Sequence, residues 1–473
     1  MKIWSKLTGN KNFQSTFVYT LTSFINQFGN ILVLPIVWKG LTIEDFAVIG
    51  LVEAAAPFLA CIISLSSEQY VTRYYFTWQD RERSSNISKN LTLNFLAVLL
   101  LGIFSLVVLF GLGSAVPSTD WNYYGLGLAH IIFFSSFAFP NALFRISNNI
   151  RGYVAFTLSL FFVRLLLSYV FTIGLNMGLY GYLVAQALTS LLFAVILYIY
   201  LFARYSVKVD LPFFRQALAF SLPYIPSNLM TNISTLADRL VVSSFGGKFE
   251  TGLLTLGQKI ASIPGSLSQA IKLGYVPYIT EFVSRPEYSL RELNRSRMVF
   301  VTPVSVLSFF LMLFGVELLQ LIDIDIQGLE EYLYLLLFIV YLNANNLFFS
   351  PGLYLAKRSE KMWLPNFIQL VLRLALYALL VPVYVLKGVV LASLFASLAS
   401  FLYNYFLSEK YFRLRLSLIS IALQFLPFII TLTLTLVGIE LLALAIFPKM
   451  LIMGAYLGVL TFFLTRNHEE TAA

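Results

Sequence analysis

Residues 217–282 read ALAFSLPYIPSNLMTNISTLADRLVVSSFGGKFETGLLTLGQKIASIPGSLSQAIKLGYVPYITEF. The pattern predicts two apolar helices joined by a tight turn at Gly246-Gly247, each long enough for the roughly 20 apolar residues that cross a bilayer. The first helix carries polar side chains at helical spacing, and Asp238-Arg239 lies near its end. Ionisable groups are costly inside a membrane and normally face a bundle interior or a water-filled cavity. The stretch therefore predicts a membrane hairpin with a polar face.

This hairpin has a counterpart near the start of the chain. Tyr70-Val71 and Tyr275-Val276 each precede a predicted loop, and Asp45 and Glu250 stand before helices at the same spacing. Two interpretations fit this match: an internal duplication that divides the protein into halves, or the general similarity of any two apolar hairpins.

The composition is that of a membrane protein. Of the 473 residues, 59% are hydrophobic and 12% are charged, against about 25% charged in soluble domains, and the mean hydropathy is +0.80. The single cysteine, Cys61, excludes an internal disulfide, and no Cys/His spacing indicates a metal site. His130, isolated in an apolar run, is more typical of helix packing than of a ligand.

Apolar runs long enough to span a membrane predict about fourteen helices. The predicted spans are 13–38, 46–66, 90–112, 121–143, 153–176, 179–203, 217–245, 251–280, 298–321, 331–354, 362–385, 388–408, 418–440 and 445–465. The expected fold class is an all-α membrane protein with two pseudo-symmetric six-helix lobes around a central cavity. The expected domains are 1–210, 211–415, and a C-terminal pair of helices with a short tail at 416–473.

The lysines and arginines set the expected orientation. Most of the 32 basic residues fall on alternate loops, which the positive-inside rule assigns to the cytoplasm together with both termini. Because these charges are spread over loops to fix topology, we expect no nucleic-acid partner. The opposite loops are all short, so we expect a protein that is not an enzyme acting on an external substrate, and no ATPase motif of the form GxxxxGK[ST] is present.

Arg164 and Arg373 are the most informative candidate site residues. Each lies in the fifth predicted helix of its lobe, in the apolar runs FTLSLFFVRLLLSYVF and PNFIQLVLRLALYALLV. Guanidinium groups bind phosphate oxygens in a bidentate manner, so two of them facing one cavity would suit a pyrophosphate. The alternative is that each arginine pairs locally and orders its own helix bundle.

Further polar residues are candidates for contact with a sugar or phosphate. Lys272 could attract phosphate at the cytoplasmic entrance, and amides or tyrosines in the apolar helices could hydrogen-bond sugar hydroxyls. They could equally join helices, which is the commoner role of polar residues in membrane bundles. These candidates are Asn26, Asn228, Asn232, Asn345, Gln369 and Tyr377.

Three charged residues are candidates for coupling or gating. Glu53 lies in the middle of a predicted span, where a buried carboxylate could change its protonation between conformations. It could therefore couple transport to H⁺ or Na⁺, or it could form a salt bridge with a nearby basic residue. Asp238 and Arg239 lie near the outer end of their helix and could close an outer gate, each with a partner elsewhere because adjacent helical residues do not face each other. No other cofactor is expected.

In the motifs SLPYIPSNLMTNISTLADRLVVSSFGGKFETGLLTLGQKI and LTIEDFAVIGLVEAAAPF, and in its doubled six-helix lobes, the chain resembles the Wzx-type polysaccharide flippases. These belong to the multidrug/oligosaccharidyl-lipid/polysaccharide (MOP) exporter superfamily, and the resemblance covers roughly residues 12–410. It implies a protein of the bacterial cytoplasmic (inner) membrane. Such a protein moves an undecaprenyl-pyrophosphate-linked oligosaccharide to the outer leaflet by alternating access, for surface polysaccharides such as O-antigen and lipopolysaccharide. Expected partners are the lipid-linked oligosaccharide, membrane lipid and other polysaccharide assembly proteins.

Two alternatives stay open. An ion-coupled drug or cation antiporter of the same superfamily would require an acidic cavity, whereas the predicted intramembrane charges are mostly basic. A membrane-bound polysaccharide polymerase or ligase would require larger outward loops than the sequence provides.

Overall fold

The structure is a computed structural model that describes residues 22, 37–115, 121–283, 290–320, 328–355, 361, 363–412, 424–426, 428, 430 and 446–469. Most of the predicted spans 13–38 and 418–440 lies outside the described residues, as does Asn26. By compactness the chain forms two units, Met1–Gly252 (unit 1) and Leu253–Ala473 (unit 2).

Every long element among the described residues is a helix. Unit 1 holds α1 Ile43–Ile63, α2 Ser67–Tyr74, α3 Asp80–Ala115, α4 Trp121–Ser135, α5 Ala138–Ile146, α6 Ile150–Tyr169, α7 Gly178–Arg204, α8 Leu211–Ser221 and the first arm of α9 Tyr224–Val283. Unit 2 holds the second arm of α9, then α10 Leu290–Gln320, α11 Glu330–Phe349, α12 Leu364–Tyr411 and α13 Ile446–Glu469. Short helical turns lie at Trp38–Gly40 and Gly352–Leu355.

Helix α1 begins with a complete capping box. The Thr42 side chain accepts from the Asp45 amide, and the Asp45 carboxylate accepts from the Thr42 amide, which satisfies two of the amides that a helix start leaves unpaired. The helix ends at Ile63, and α2 starts only four residues later. The chain therefore breaks at 64–66, inside the predicted span 46–66.

Helix α3 is longer than its sequence pattern predicts. It starts at Asp80 and has 36 residues, which at about 1.5 Å per residue is roughly 54 Å. The predicted span 90–112 is shorter because hydropathy detects the apolar turns and not the polar helical turns before them. The first turns carry Arg83, which forms an ion pair with Asp80 at 2.8 Å.

Two other spans contain interruptions that the hydropathy pattern does not show. Residues 136–137 separate α4 from α5, and α6 continues into a π-helical turn at Val170–Gly174. Such turns inside helices often occur at functional sites. In this turn Thr172 packs against Gly40, so the loops before α1 and after α6 lie at one end of unit 1.

Helix α9 confirms the predicted tight turn. It is two helices, 224–246 and 248–283, joined at Gly247 with φ 80° and ψ −166°, a conformation that is open only to glycine. Helix α12 bends in the same way at Val385 (φ 43°, ψ −111°), which separates the predicted spans 362–385 and 388–408. The C-terminal helix α13 is joined to α10 by an ion pair between Lys449 and Glu317.

Eight of the described helical segments are long and apolar enough to cross a membrane. The chain is therefore a multi-pass, all-α membrane protein. The count of fourteen helices, the domain limits 1–210, 211–415 and 416–473, and the pseudo-symmetry of the lobes stay predictions.

Candidate functional site

Unit 1 contains a group of charged side chains in the middle of its helices. Glu53 is the middle residue of the 21-residue helix α1, which places its carboxylate far from either membrane surface. Glycine at position 127 allows α4 to pack closely on this part of α1, because a Cβ there would clash with the Val52 side chain.

Arg239, on the first arm of α9, contacts α1 directly. Its side chain is 6% exposed, and its Nη1 donates a hydrogen bond to the carbonyl of Gly50, one turn before Glu53. The guanidinium also interacts electrostatically with Glu53 and with the neighbouring Asp238. Asp238 and Arg239 thus lie beside the α1 carboxylate, and an outer-gate role for them stays a prediction.

Arg164 approaches the same carboxylate from α6. Its guanidinium interacts electrostatically with Glu53 and with Tyr182 on α7. Thr157 and Ser168, seven residues before and four after Arg164 and thus on its face of α6, are both buried. Glu53 is therefore accompanied by two arginines, which matches the salt-bridge interpretation more closely than that of a solitary carboxylate.

His130 on α4 completes the group. Its Nδ1 lies 2.7 Å from Ser190 Oγ and 3.3 Å from the Gln186 carbonyl on α7, so it joins two helices as predicted. It also interacts electrostatically with Arg164 and Glu53, which the sequence did not indicate. We call Glu53, His130, Arg164, Tyr182 and Arg239 the Glu53 cluster.

The chemistry open to the Glu53 cluster follows from its charges. Two guanidinium groups can bind phosphate oxygens, but the carboxylate competes with an anion for them. A proton or a metal cation on Glu53 would release the arginines, and an arriving anion would favour that protonated or cation-bound state. The cluster can therefore link cation binding to anion binding within one unit.

Unit 2 has a second polar group on α12, around Gln369. The Gln369 Nε2 donates to Ser397 Oγ at 2.8 Å and to Asn343 Oδ1 at 3.3 Å. About two helical turns after Gln369, the hydroxyl of Tyr377 lies 3.3 Å from that of Ser393. Gln369 and Tyr377 thus already join helices, and their predicted contact with sugar would use their remaining hydrogen-bonding capacity.

Arg373 lies between these two residues on α12 and is 5% exposed. Arg164 and Arg373 belong to different compact units, so their predicted approach to one chamber stays a prediction. Both are nevertheless embedded in apolar helices, as their sequence context predicts.

The other predicted site residues have separate surroundings. Asn228 Nδ2 donates to Ser66 Oγ at 3.4 Å, and Asn232 Nδ2 donates to the Asn228 carbonyl at 2.9 Å. Asn345 is fully buried and donates to the Tyr341 carbonyl of its own helix at 2.9 Å. Lys272, on the second arm of α9, is partly exposed, which suits its predicted role at an entrance.

The charges that lie well inside the described helices of unit 2 have one sign. Each charged residue that lies well inside a described helix of this unit, away from helix ends and bends, is a cation. These residues are Lys259, Lys272, Arg297 and Arg373. Arg297 is fully buried, donates to Gln424 Oε1 at 3.1 Å and lies 4.9 Å above the Phe349 ring.

The Glu53 cluster includes one residue that sequence reasoning missed. Tyr182 shares a helical spacing with Gln186 and Ser190 on α7, which indicates a polar face, but nothing local relates that face to Glu53 on a distant helix. Asn343 and Ser397 in unit 2 were missed for the same reason. Helical spacing identifies a polar face, but it does not say which distant helix that face meets.

Comparisons with known proteins agree with this architecture. The family model described as polysaccharide biosynthesis protein matches residues 13–283. A sequence search of curated proteins gives no match.

Solved structures with the same fold include the lipid II flippase MurJ in an inward closed conformation. Its TM-score is 0.70 at 15% identity, over 96% of this chain and 99% of that one. A multidrug resistance MATE family transporter of the MOP superfamily, in an inward-facing conformation, has a TM-score of 0.61 at 15% identity over 85% and 94%. A MOP superfamily transporter from Pyrococcus furiosus, whose binding pocket is described as having reverse polarity, gives 0.53 at 15% over 87% and 98%. The fold is therefore that of the MATE transporters and of MurJ.

Proposed function

Because the chain belongs to the polysaccharide biosynthesis protein family, we propose that it is a flippase that carries a lipid-linked oligosaccharide across the membrane. The cargo would be an undecaprenyl-pyrophosphate-linked oligosaccharide, moved from the cytoplasmic to the outer leaflet of the bacterial inner membrane. Both termini would lie in the cytoplasm, and the protein would act by transport rather than catalysis. It would serve surface polysaccharide biosynthesis of the O-antigen or lipopolysaccharide kind, alongside other assembly proteins.

The observation that carries this proposal is the positive sign of the charges that lie well inside the described helices of unit 2, away from helix ends and bends. Lys259, Lys272, Arg297 and Arg373 all lie well inside described helices. Ionisable residues are expensive within a membrane and mark substrate or ion pathways. An interior of this sign favours an anionic headgroup, and a pyrophosphate offers several oxygens that a guanidinium binds in pairs.

We assign the pyrophosphate to Arg373 and Arg164, and the cytoplasmic entrance to Lys272. Asn26, Asn228, Asn232, Asn345, Gln369 and Tyr377 would supply sugar contacts. The partly exposed Gln369 is the best placed of the described amides for this role, whereas the buried Asn345 would have to exchange its bond to Tyr341. Glu53 would bind a coupling H⁺ or Na⁺, with Asp238 and Arg239 acting on the gate.

A direct test is flipping in proteoliposomes. The vesicles carry a fluorescent undecaprenyl-pyrophosphate oligosaccharide, and a membrane-impermeant quencher reports how fast it reaches the outer leaflet. Charge-assisted hydrogen bonds contribute about 1.5–3 kcal/mol, and each 1.4 kcal/mol is tenfold. We therefore expect Arg373→Gln to slow flipping by roughly ten- to a hundredfold, and Arg164→Gln to have a similar effect.

Lys387→Gln is the matched control, because Lys387 is an exposed cation on the same helix, just beyond the bend at Val385. It should flip at the wild-type rate. Wild-type rates in both arginine variants, at equal protein content, would remove Arg164 and Arg373 from the mechanism. Absence of flipping in the wild-type protein would contradict the flippase proposal itself.

A second candidate is export of an organic cation. The carboxylates of Glu53 and Asp238 inside unit 1 favour it, because they could exchange a cationic drug for a proton. Under this alternative the same vesicles would accumulate a cationic dye in response to a pH gradient, and Glu53→Gln would abolish the uptake.

A further inference from the structure

The break between α1 and α2 is an unusual piece of backbone. Leu65 and Ser66 both have positive φ values, 53° and 47°, although side chains other than glycine are disfavoured in this left-handed region. Two such residues in succession persist only when the surrounding structure holds them, and they concentrate at functional sites. In membrane transporters, interrupted helices expose backbone and side-chain oxygens that bind ions.

Buried amides hold this break in place. Asn90 Nδ2 donates to the Ser67 carbonyl at 3.1 Å, and Asn94 Nδ2 donates to Ser67 Oγ at 3.0 Å. Tyr198 OH in turn donates to Asn94 Oδ1 at 2.9 Å. The bond from Asn90 fixes which end of its amide faces Ser67, so the orientation of its oxygen is also fixed.

Three acceptor oxygens around the start of α2 have no hydrogen-bond donor. The Asn90 side chain is completely buried, and its Oδ1 has no partner. Glu68 Oε2, in the first turn of α2, and Asn141 Oδ1, on α5, are likewise buried and lack partners. Asn90 bonds to the carbonyl of Ser67, the residue before Glu68, and Arg145, one turn after Asn141 on α5, acts electrostatically on Glu68, so all three residues lie around the start of α2. Buried polar atoms are almost always satisfied, so these acceptors call for a hydrogen-bond donor or a cation.

We propose that Na⁺ binds at the α1–α2 break, held by Glu68 Oε2 with the side-chain oxygens of Asn90 and Asn141. One carboxylate balances one positive charge, which suits a monovalent ion. Oxygen donors suit a hard cation, and the described residues contain no group of three His, Cys, Asp or Glu side chains that would bind a transition metal. A proton would connect only two of the three oxygens, whereas a metal ion contacts all of them.

The charges on the neighbouring helices permit this site. On α3, Lys89 pairs with Asp210 at 2.6 Å and Arg83 pairs with Asp80 at 2.8 Å, so each is balanced by its own acid. Arg145 on α5 does act electrostatically on Glu68, but it is exposed, so solvent screens its charge. Other ionisable groups on the elements packed here are Arg73, Tyr70 and Tyr74 on α2, Cys61 on α1, Tyr198 on α7 and the exposed Arg215 on α8.

The site is connected to α9. Ser66 Oγ, within the break, accepts a hydrogen bond from Asn228 at 3.4 Å, and the same arm of α9 carries Arg239 of the Glu53 cluster. An ion that orders the break would therefore also fix the first arm of α9. Use of this ion to drive transport rests on the proposed function, whereas binding of the ion does not.

The test measures Na⁺ binding to the purified full chain in phosphatidylcholine nanodiscs. Binding of ²²Na⁺ and thermal unfolding are followed in NaCl and in choline chloride at equal ionic strength and pH 8. A ligand at ten times its Kd raises the ratio of folded to unfolded protein about elevenfold, and we expect this for the wild-type protein. Glu68→Gln should abolish both ²²Na⁺ binding and the stabilisation, and Asn141→Ala should weaken binding. Glu82→Gln, which alters an exposed carboxylate on α3, should behave as the wild type.

Equal unfolding of the wild-type protein in the two salts, with no bound ²²Na⁺, would overturn the proposal. So would full Na⁺ binding by a folded Glu68→Gln protein, or stabilisation that depends on acid and not on Na⁺. A wild-type protein that binds Na⁺ but does not flip the lipid-linked oligosaccharide would instead contradict the proposed function alone.

Discussion

The Glu53 cluster gives the sharpest test of the electrostatics inside unit 1. We consider the substitution Arg239→Met, which keeps the length of the side chain and removes its charge. The substitution deprives the Gly50 carbonyl of its donor and leaves Glu53 with Arg164 as its remaining arginine. Because Arg239 is 6% exposed, water does not readily replace the guanidinium.

The expected cost follows from this environment. Removing one partner of a buried ion pair costs about 3–5 kcal/mol, largely because the other charge stays buried. Glu53 is half-buried and Arg164 still stabilises it, so we expect a smaller cost of about 2 kcal/mol, that of the lost charge-assisted hydrogen bond to Gly50. If Glu53→Gln is added, the uncompensated charge disappears, and the double variant should be about 1–3 kcal/mol more stable than the sum of the single effects predicts.

The assay is equilibrium unfolding in mixed micelles titrated with sodium dodecyl sulfate, for the wild-type protein, both single variants and the double variant. Arg151→Met, at an exposed arginine near the start of α6, should change the free energy of unfolding by less than about 0.5 kcal/mol. Strict additivity of Arg239→Met and Glu53→Gln would refute the reasoning, because it would mean that the two charges do not interact in the folded protein.

Two further predictions concern packing and a helix cap. Gly127→Ala should destabilise the protein by about 1–3 kcal/mol, because the new Cβ meets the Val52 side chain, whereas Gly111→Ala, with open space at its Cβ position, should be neutral or stabilising in denaturant titrations. The Lys89 ammonium and then the Phe213 amide hold the pKa of Asp210 below its ordinary value. Its stabilisation is therefore present above about pH 4 and is lost as the pH falls through the lowered pKa. In melting curves measured against pH, Asp210→Asn should keep the cap but lose this acid-dependent part, and an unchanged acid limb would contradict the assignment.

Much of the helical framework could be predicted from sequence, because the length of an apolar run and the residues that interrupt it are local properties. The predicted span 179–203 differs by one residue at each end from α7, Gly178–Arg204. The glycine pair at 246–247 marks the bend in α9 because the geometry there requires glycine.

The start of α3 and the break after Ile63 could not be predicted, since polar helical turns and buried serines do not stand out against apolar runs. At Val385 the predicted spans 362–385 and 388–408 place the interruption correctly but do not give its geometry. Its β-branched side chain adopts a positive φ, a conformation that residue propensity does not suggest.

The candidate site was likewise predictable in part: its charged residues could be identified from sequence, and their partners could not. Arg164, Arg239, Glu53 and Arg373 stand out because a charge in an apolar helix is rare, and one sequence suffices to find them. Their partners do not stand out, because pairing depends on which distant helices pack together. The arginines acting on Glu53 lie more than a hundred residues away in the chain, and a single sequence holds no record of that proximity.

The segment that follows α7 has a consequence for where the chain tolerates an insertion. The Lys208 amide donates to Thr92 Oγ1 at 3.1 Å, its ammonium donates to Ser85 Oγ at 3.1 Å, and Asp210 pairs with Lys89 at 2.6 Å. Hydrogen bonds and an ion pair thus hold residues 208–210 against α3. Phe213 and Phe214 at the start of α8 pack in one buried cluster with Leu93 of the same helix α3, so the attachment continues past Asp210. A flexible insertion between Asp210 and Leu211 would separate this packing from the bonds that precede it.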